Sequence, residues 1–148
     1  MEKLIAENRR ARHDYFLEEF YEAGIALTGT EIKSVRKGAV QFMDAYIDFV
    51  NSEAFIRDMH ISQYKEGNIF NHEETRLRKL LLHKREINKL RKACTIKGYT
   101  VVPTKMYLKN GIAKMEIALA RGKALYDKRQ SEKEKDAFRE IQKQMKIR

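Results

Sequence analysis

The chain has one cysteine, Cys94, which excludes an internal disulfide and suits a reducing cytosol. No apolar run approaches the roughly 18 residues of a membrane-spanning helix, and no signal peptide opens the sequence. Metal-ligand spacing is missing as well, since histidines 13, 60, 72 and 83 are scattered and no second cysteine joins them. A phosphate loop, a dinucleotide fingerprint and a serine elbow are absent. Glu18, Glu19 and Glu22 come nearest to a paired-carboxylate site, but strand alternation sets Glu18 and Glu22 on one face and Glu19 on the other. No catalysis, metal or cofactor is expected. Acid is also in deficit: 21 Asp and Glu stand against 31 Lys and Arg, a formal charge of +10.

What is present is a basic chain of 148 residues, 43% hydrophobic, enough for one modest core. The charge suits a polyanionic partner, nucleic acid first and an anionic membrane surface second. Residues 121–148 hold ten Lys/Arg and five Asp/Glu, net +5, so a folded body over 1–120 and a basic tail over 121–148 are expected. Within the body, "TRLRKLLLHKREINKLRK" (75–92) crowds cations around three leucines. Those leucines are expected to serve the core and the cations to face solvent or a partner.

The opening "MEKLIAENRRARHD" is polar and basic, anchored by Leu4, Ile5 and Ala6. "YFLEEFYEAGIALTG" reads as one long strand with Gly24 as a bulge. Thr28 and Glu31 have capping-box spacing for a helix over about 29–37, with Ile32 and Val35 inward and Gly38 as its stop. "AYIDFV" and "AFIRDMHI" read as strands joined at Asn51-Ser52-Glu53, and His60 as a strand histidine satisfied locally. Residues 62–76 form a long polar loop, "KLLL" a short buried strand, and "KREINKLRKAC" a helix with Ile87, Leu90 and Cys94 on one stripe.

The clearest local signal is Asn110-Gly111 between two alternating runs, a type I′ hairpin. It pairs Leu108 with Ala113, Met106 with Met115, Thr104 with Ile117 and Val102 with Leu119 as the buried face. On the other face Tyr107 lies across from Lys114, flanked by Lys105 and Lys109. That is either a nucleic-acid platform, with a stacking ring among phosphate-binding ammonium groups, or an ordinary wet sheet face. Short strands in hairpins with inserted helices predict a mainly β fold, an OB-like antiparallel barrel with two to three short helices.

"IAENRRARHDYFLEEFYEAGIALTGTEIKSVRKG", "TRLRKLLLHKREI", "YLKNG" and "ALARGKALYDKR" follow one another in this order. Together, from about Ile5 to Arg129, they resemble the SmpB family, which binds transfer-messenger RNA. The resemblance implies an OB-like barrel, a tail flexible in the free protein, and a role in trans-translation rather than catalysis. The tRNA-like part of the RNA would be held by the body and delivered with elongation factor Tu to a stalled ribosome. There the tail would enter the empty messenger channel. A cytoplasmic monomer with no membrane partner is expected.

Matched motif to motif, Asn8, Glu22, Leu81 and Lys114 fall where the family contacts RNA, with Arg12 and Tyr15 beside them. Lys114 and Arg12 suit phosphates, Asn8 a sugar or base edge, and Tyr15 either stacking or barrel packing. Glu22 must accept from base amino groups, ribose hydroxyls or a nearby arginine, and Leu81 is either a contact or a core residue. Asp127, Lys128 and Arg129 match the tail signature, and His13 is a candidate for the decoding site. The tail departs from the family in being rich in acid as well as base, and the 62–76 loop lacks its customary prolines. Phe138, Ile141 and Met145 give the tail a thin helical stripe, marginal unless a surface receives it. Two other readings share part of this pattern: a generic OB-type single-strand binder, and a nuclease using Glu22 and a histidine.

Overall fold

The computed structural model describes residues 2–123, without the side chains of 68–70. The tail residues Asp127, Lys128, Arg129, Phe138, Ile141 and Met145 therefore lie outside the described residues.

In chain order come β1 (Glu2–Glu7), α1 (Arg9–Asp14), β2 (Tyr15–Ile25), α2 (Gly29–Arg36), β3 (Val40–Gln41), β4 (Tyr46–Val50) and β5 (Glu53–Arg57). β6 (His60–Ile61), a 3-10 turn (Lys65–Phe70), β7 (Arg78–Leu81), α3 (Lys84–Ala93), β8 (Tyr99–Lys109) and β9 (Ile112–Gly122) complete the body. β9 thus runs past residue 120. Seven antiparallel strands form one sheet in the order β1-β8-β9-β2-β7-β5-β4, and β3 pairs with β6 beside it. The sheet curls until β4 approaches β8, giving the expected OB-like barrel without full closure.

Local chemistry explains most of these elements. Thr28 caps α2 through a complete capping box with Glu31, and Gly38, at φ 77°, ends the helix region. Asn51-Ser52 and Asn110-Gly111 both take positive φ at both positions, the type I′ geometry that suits the strand twist. Ile87 and Leu90 of α3 are buried, while Cys94 is half-buried with its thiol pKa pushed up by burial. The opening segment forms a strand and a helix, where the sequence showed only three anchoring residues. Ile5 and Ala6 pack on the core, and Asn8 caps α1 by accepting from the Ala11 N–H.

Two bulges alter the expected registers. In the β8–β9 hairpin Leu108–Ala113 and Met106–Met115 pair as read, but the register shifts between Pro103 and Lys105. Ile117 then faces Pro103, and Val102 faces Ala118 rather than Leu119. Pro103 has no N–H for the ladder, and Thr104 turns its hydroxyl to the Glu116 carbonyl and carboxylate. In β2 the extra residue lies between Leu17 and Glu19, and Gly24 pairs regularly with Lys114 and Leu81. Glycine favours the close approach there, since an added Cβ would sit 3.2 Å from the Leu81 Cβ, tighter than ordinary contact.

The cations of 75–92 are not all free either. Arg78 is fully buried, because strand alternation gives it the inward face of Leu80. It donates to buried Glu31, to the Met59 carbonyl at 2.9 Å and to the Glu74 carbonyl at 3.0 Å. Arg76 adds a second donor pair, 2.6 and 3.2 Å from the two Glu31 oxygens. Burial alone would raise the Glu31 pKa, but the donors from Arg76, the Thr28 N–H and Arg78 outweigh it and hold it at about 2.

Because the folded-state pKa lies below the ordinary 4.5, this stabilisation is complete above about pH 4.5 and drains as pH falls towards 2. Glu31→Gln should cost about 3–5 kcal/mol near neutral pH, the usual cost of breaking a buried ion pair. It should also flatten the acid limb of stability, measured by urea unfolding across that range. An equally steep limb in the variant would assign acid sensitivity to other carboxylates.

Candidate nucleic-acid interface

The strand registers align one row of residues across five strands: Leu4, Tyr107, Lys114, Gly24 and Leu81. Leu81 is 56% exposed, so of its two readings the structure gives the outward one. Among the described residues Lys114 makes no ion pair, and it has no side chain opposite it at Gly24. Glu22 and Glu116 form the next rung.

Tyr107 departs from its expected role as an open platform. Its ring is only 6% exposed and reaches across β9 so that its hydroxyl donates to Glu22 Oε2 at 2.5 Å. Lys109 Nζ lies 3.5 Å from the same oxygen, and Lys105 Nζ is 5.5 Å from the ring centroid. The Tyr107 hydrogen bond, with Lys109 and Lys114 nearby, holds the Glu22 carboxyl below its ordinary pKa, while burial and Glu22 push the Tyr107 pKa up. Glu22 Oε1 takes neither bond and remains an acceptor for a ligand's amino or hydroxyl group. The exposed aromatic on this face is Phe20, 47% exposed beside Tyr107, Lys105 and Glu116. Strand parity places it there, two residues before Glu22 and four before Gly24, since the bulge lies earlier, before Glu19.

The same two bulges carry the face onward to α1. Beyond them Tyr15 and Leu17 of β2, Val102 of β8 and Ala120 of β9 pack around Ala11. Tyr15 is thus half-buried against α1, which is the packing reading, with part of its surface open. Asn8 is 7% exposed; its amide donates to the Pro103 carbonyl at 2.8 Å while its oxygen caps α1, so its polar atoms already have protein partners. Arg12 is exposed with Glu7 4.0 Å away, and Lys123 donates to its carbonyl at 3.2 Å. The His13 side chain is 88% exposed, beside Asp14 at 2.9 Å.

The carboxylates that could imitate a catalytic pair are dispersed: Glu18 faces Arg121, Glu19 faces Lys89 and Glu22 faces Lys109. The histidines are engaged elsewhere. His60 meets Glu74 at 2.6 Å, and His72 bridges Thr30 and the Ile61 carbonyl. Among the described residues, no group of three or more His, Cys, Asp or Glu could hold a metal ion, and no helix is long and apolar enough to cross a membrane.

A curled antiparallel barrel with a lysine-bearing, aromatic-edged face defines a small OB-like nucleic-acid-binding protein. Residues 5–147 match the family described as SmpB protein. The chain is 56% identical over 144 residues to an SsrA-binding protein of Caldanaerobacter subterraneus subsp. tengcongensis, covering 97% of this chain and 91% of the relative. It is 58% identical over 139 residues to the SsrA-binding protein of Bacillus cereus, with 94% and 90% covered. A chain in a solved structure described as "tmRNA-SmpB: a journey to the center of the bacterial ribosome" superposes with a TM-score of 0.68 at 48% identity, covering 80% of this chain and 83% of that one. The chain belongs to the SmpB family.

Tyr107→Phe removes the shortest bond to Glu22 and should cost about 1–3 kcal/mol, as for a hydrogen bond to a charged group. Glu22 should then titrate closer to its ordinary range, followed by carboxyl NMR in both proteins. An unmoved titration would leave the lysines, not Tyr107, as what holds the carboxylate.

Proposed function

We propose that this chain is an RNA-binding adaptor of trans-translation, acting by binding rather than catalysis. It holds the tRNA-like domain of transfer-messenger RNA and carries it to stalled ribosomes, so that incomplete peptides are tagged for degradation. The observation that carries this reading is the continuous outer face that joins Tyr15, Glu22, Lys114 and Leu81 from three strands. Lys114 and Arg12 meet phosphates, Glu22 Oε1 accepts from a base amino group or a ribose hydroxyl, and Leu81 gives apolar contact. Phe20 takes the stacking position first assigned to Tyr107, which instead fixes Glu22. Asn8 acts by holding the α1 end in place.

His13 and the tail residues Asp127, Lys128 and Arg129 serve the ribosome, with the tail in the empty messenger channel. Elongation factor Tu accompanies the aminoacylated RNA, and the protein works as a cytoplasmic monomer.

Binding of tRNA-like RNA should weaken with salt by about 0.7–0.9 in the log–log slope for each phosphate neutralised. Lys114→Ala should lower affinity and make that slope shallower, whereas Glu22→Gln should lower affinity per folded molecule more than stability. Fluorescence titrations beside unfolding curves separate the two effects. Unchanged binding in both variants would remove the sheet face as the RNA site.

Deleting everything after Tyr126 should leave tRNA-like RNA binding within about twofold and abolish peptide tagging on stalled ribosomes. The tail's net +5 over 121–148 is attracted into an RNA-lined channel, where its apolar stripe finds a surface. Full tagging by the truncated protein would sink this role.

A further inference from the structure

Phe20 forms the apolar wall of a groove of about 270 Å³ on the sheet face, which Glu22, Lys105, Tyr107 and Glu116 also line. Pockets for drug-sized ligands run to roughly 300–1,000 Å³, so this one suits a single planar group. The ring is open to receive it, because β9 places only Ala118 across from Phe20.

The facing wall is made of acceptors. Glu22 and Glu116 stand directly opposite each other on neighbouring strands, a like-charged pairing that costs stability. One oxygen of each is fixed by a hydroxyl. Tyr107 donates to Glu22 Oε2 at 2.5 Å, and Thr104 donates to Glu116 Oε2 at 2.6 Å. Lys105 is the β8 partner of Glu116, yet among the described residues Glu116 forms no ion pair. Thr104 is fully buried, and its hydroxyl also lies 3.2 Å from the Glu116 carbonyl, which alone would satisfy it. The closer contact therefore orients the carboxylate rather than rescuing the hydroxyl. Oε1 of both glutamates is left on one rung beside the ring, able to accept.

Such a wall sorts bases by their pairing edges. Adenine, cytosine and uracil each donate from a single pairing-edge atom with an acceptor beside it, and a second carboxylate repels that acceptor. Guanine places two donors, N1–H and the N2 amino group, next to each other, and its O6 falls to a cation such as Lys105. We propose that Glu116, positioned by Thr104, acts with Glu22 to select an unpaired guanine of the tRNA-like RNA that stacks on Phe20. The mutual repulsion of the two carboxylates is relieved when one ligand donates to both. Glu22 and Glu116 touch the base, and Thr104 is a positioning residue. The inference rests on the adaptor reading and adds a base identity to that face.

The full chain is titrated, over a range of salt, with labelled tRNA-like RNAs that each carry inosine in place of one unpaired guanosine. Inosine lacks the N2 amino group and keeps N1–H and O6. One replacement should weaken binding about tenfold with the salt slope unchanged. For Glu116→Ala, that RNA and the unreplaced one should bind within about twofold of each other. Thr104→Val should shrink the guanosine preference, and Thr104→Ser should restore it, an effect a purely structural threonine would not show. Phe20→Leu and Lys114→Ala should weaken both RNAs alike, with a shallower salt slope for Lys114→Ala alone. Thermal melts confirm that folded variants are compared, and the inosine scan on the unmodified chain needs no variant to fold. Tight binding that no replacement weakens, or a replacement whose effect persists in full in Glu116→Ala, would overturn the proposal and leave the adaptor reading standing. No binding of tRNA-like RNA by the unmodified chain would overturn both.

Discussion

The Glu31 carboxylate is the point on which the distant parts of this protein hang. It sits fully buried between two guanidinium groups and the Thr28 N–H. Through Arg78 it reaches the Met59 and Glu74 carbonyls, and through Arg76 the Ala26 carbonyl. One acid therefore ties α2 to β7, to the chain after β5, to the end of β2 and to the long loop. Burial pulls the Arg78 pKa down and Glu31 opposes it, so the cation is kept by its partner. The sheet face depends on this knot. It sets β7 so that Leu81 lies against Gly24.

The second constraint is parity. In an uninterrupted β2, Tyr15 and Leu17 would face away from Glu22, and in an uninterrupted β8, Val102 would face away from Tyr107. One extra residue in each strand reverses the alternation, opposite Leu119 and Ala120 of β9 for β2 and opposite Glu116 and Ile117 for β8. The ends of the two strands then join one continuous surface, with α1 laid on its far end. A bulge here is a means of aiming side chains, not an irregularity of pairing.

This explains which features could be read from the sequence. Turn chemistry at Asn110-Gly111, the capping box of Thr28 and Glu31, and the Ile87–Leu90 stripe are local patterns, and each appears as expected. The bulges are not local: Pro103 hints at one, but its placement needs Thr104, Glu116 and Asn8 from three different segments. Gly24 was read as a bulge because glycine in a strand permits one, whereas its cause is the Leu81 side chain on a strand far along the sequence. The charge of its neighbours predicts an outward Arg78, and hairpin register predicts an outward Tyr107, which shares the face of Lys114 as expected but is covered there. Alternation with Leu80 was a usable sign for Arg78, but burial of Tyr107 needs Glu22 across β9.

The sheet face also bears on what kind of RNA it suits. Its lysines share the surface with Glu22 and Glu116, so attraction to an arbitrary polyanion is partly cancelled. A generic single-strand binder gains nothing from carboxylates there, because each repels the phosphates that supply its affinity. A protein that must select one folded RNA does gain. On the proposed reading Glu22, fixed by Tyr107 and Lys109, accepts only where a base amino group or ribose hydroxyl is presented at the right place, and repels a phosphate that arrives there instead. The buried Glu31 knot, through Arg78 on β7, holds the Leu81 end of that face in its frame.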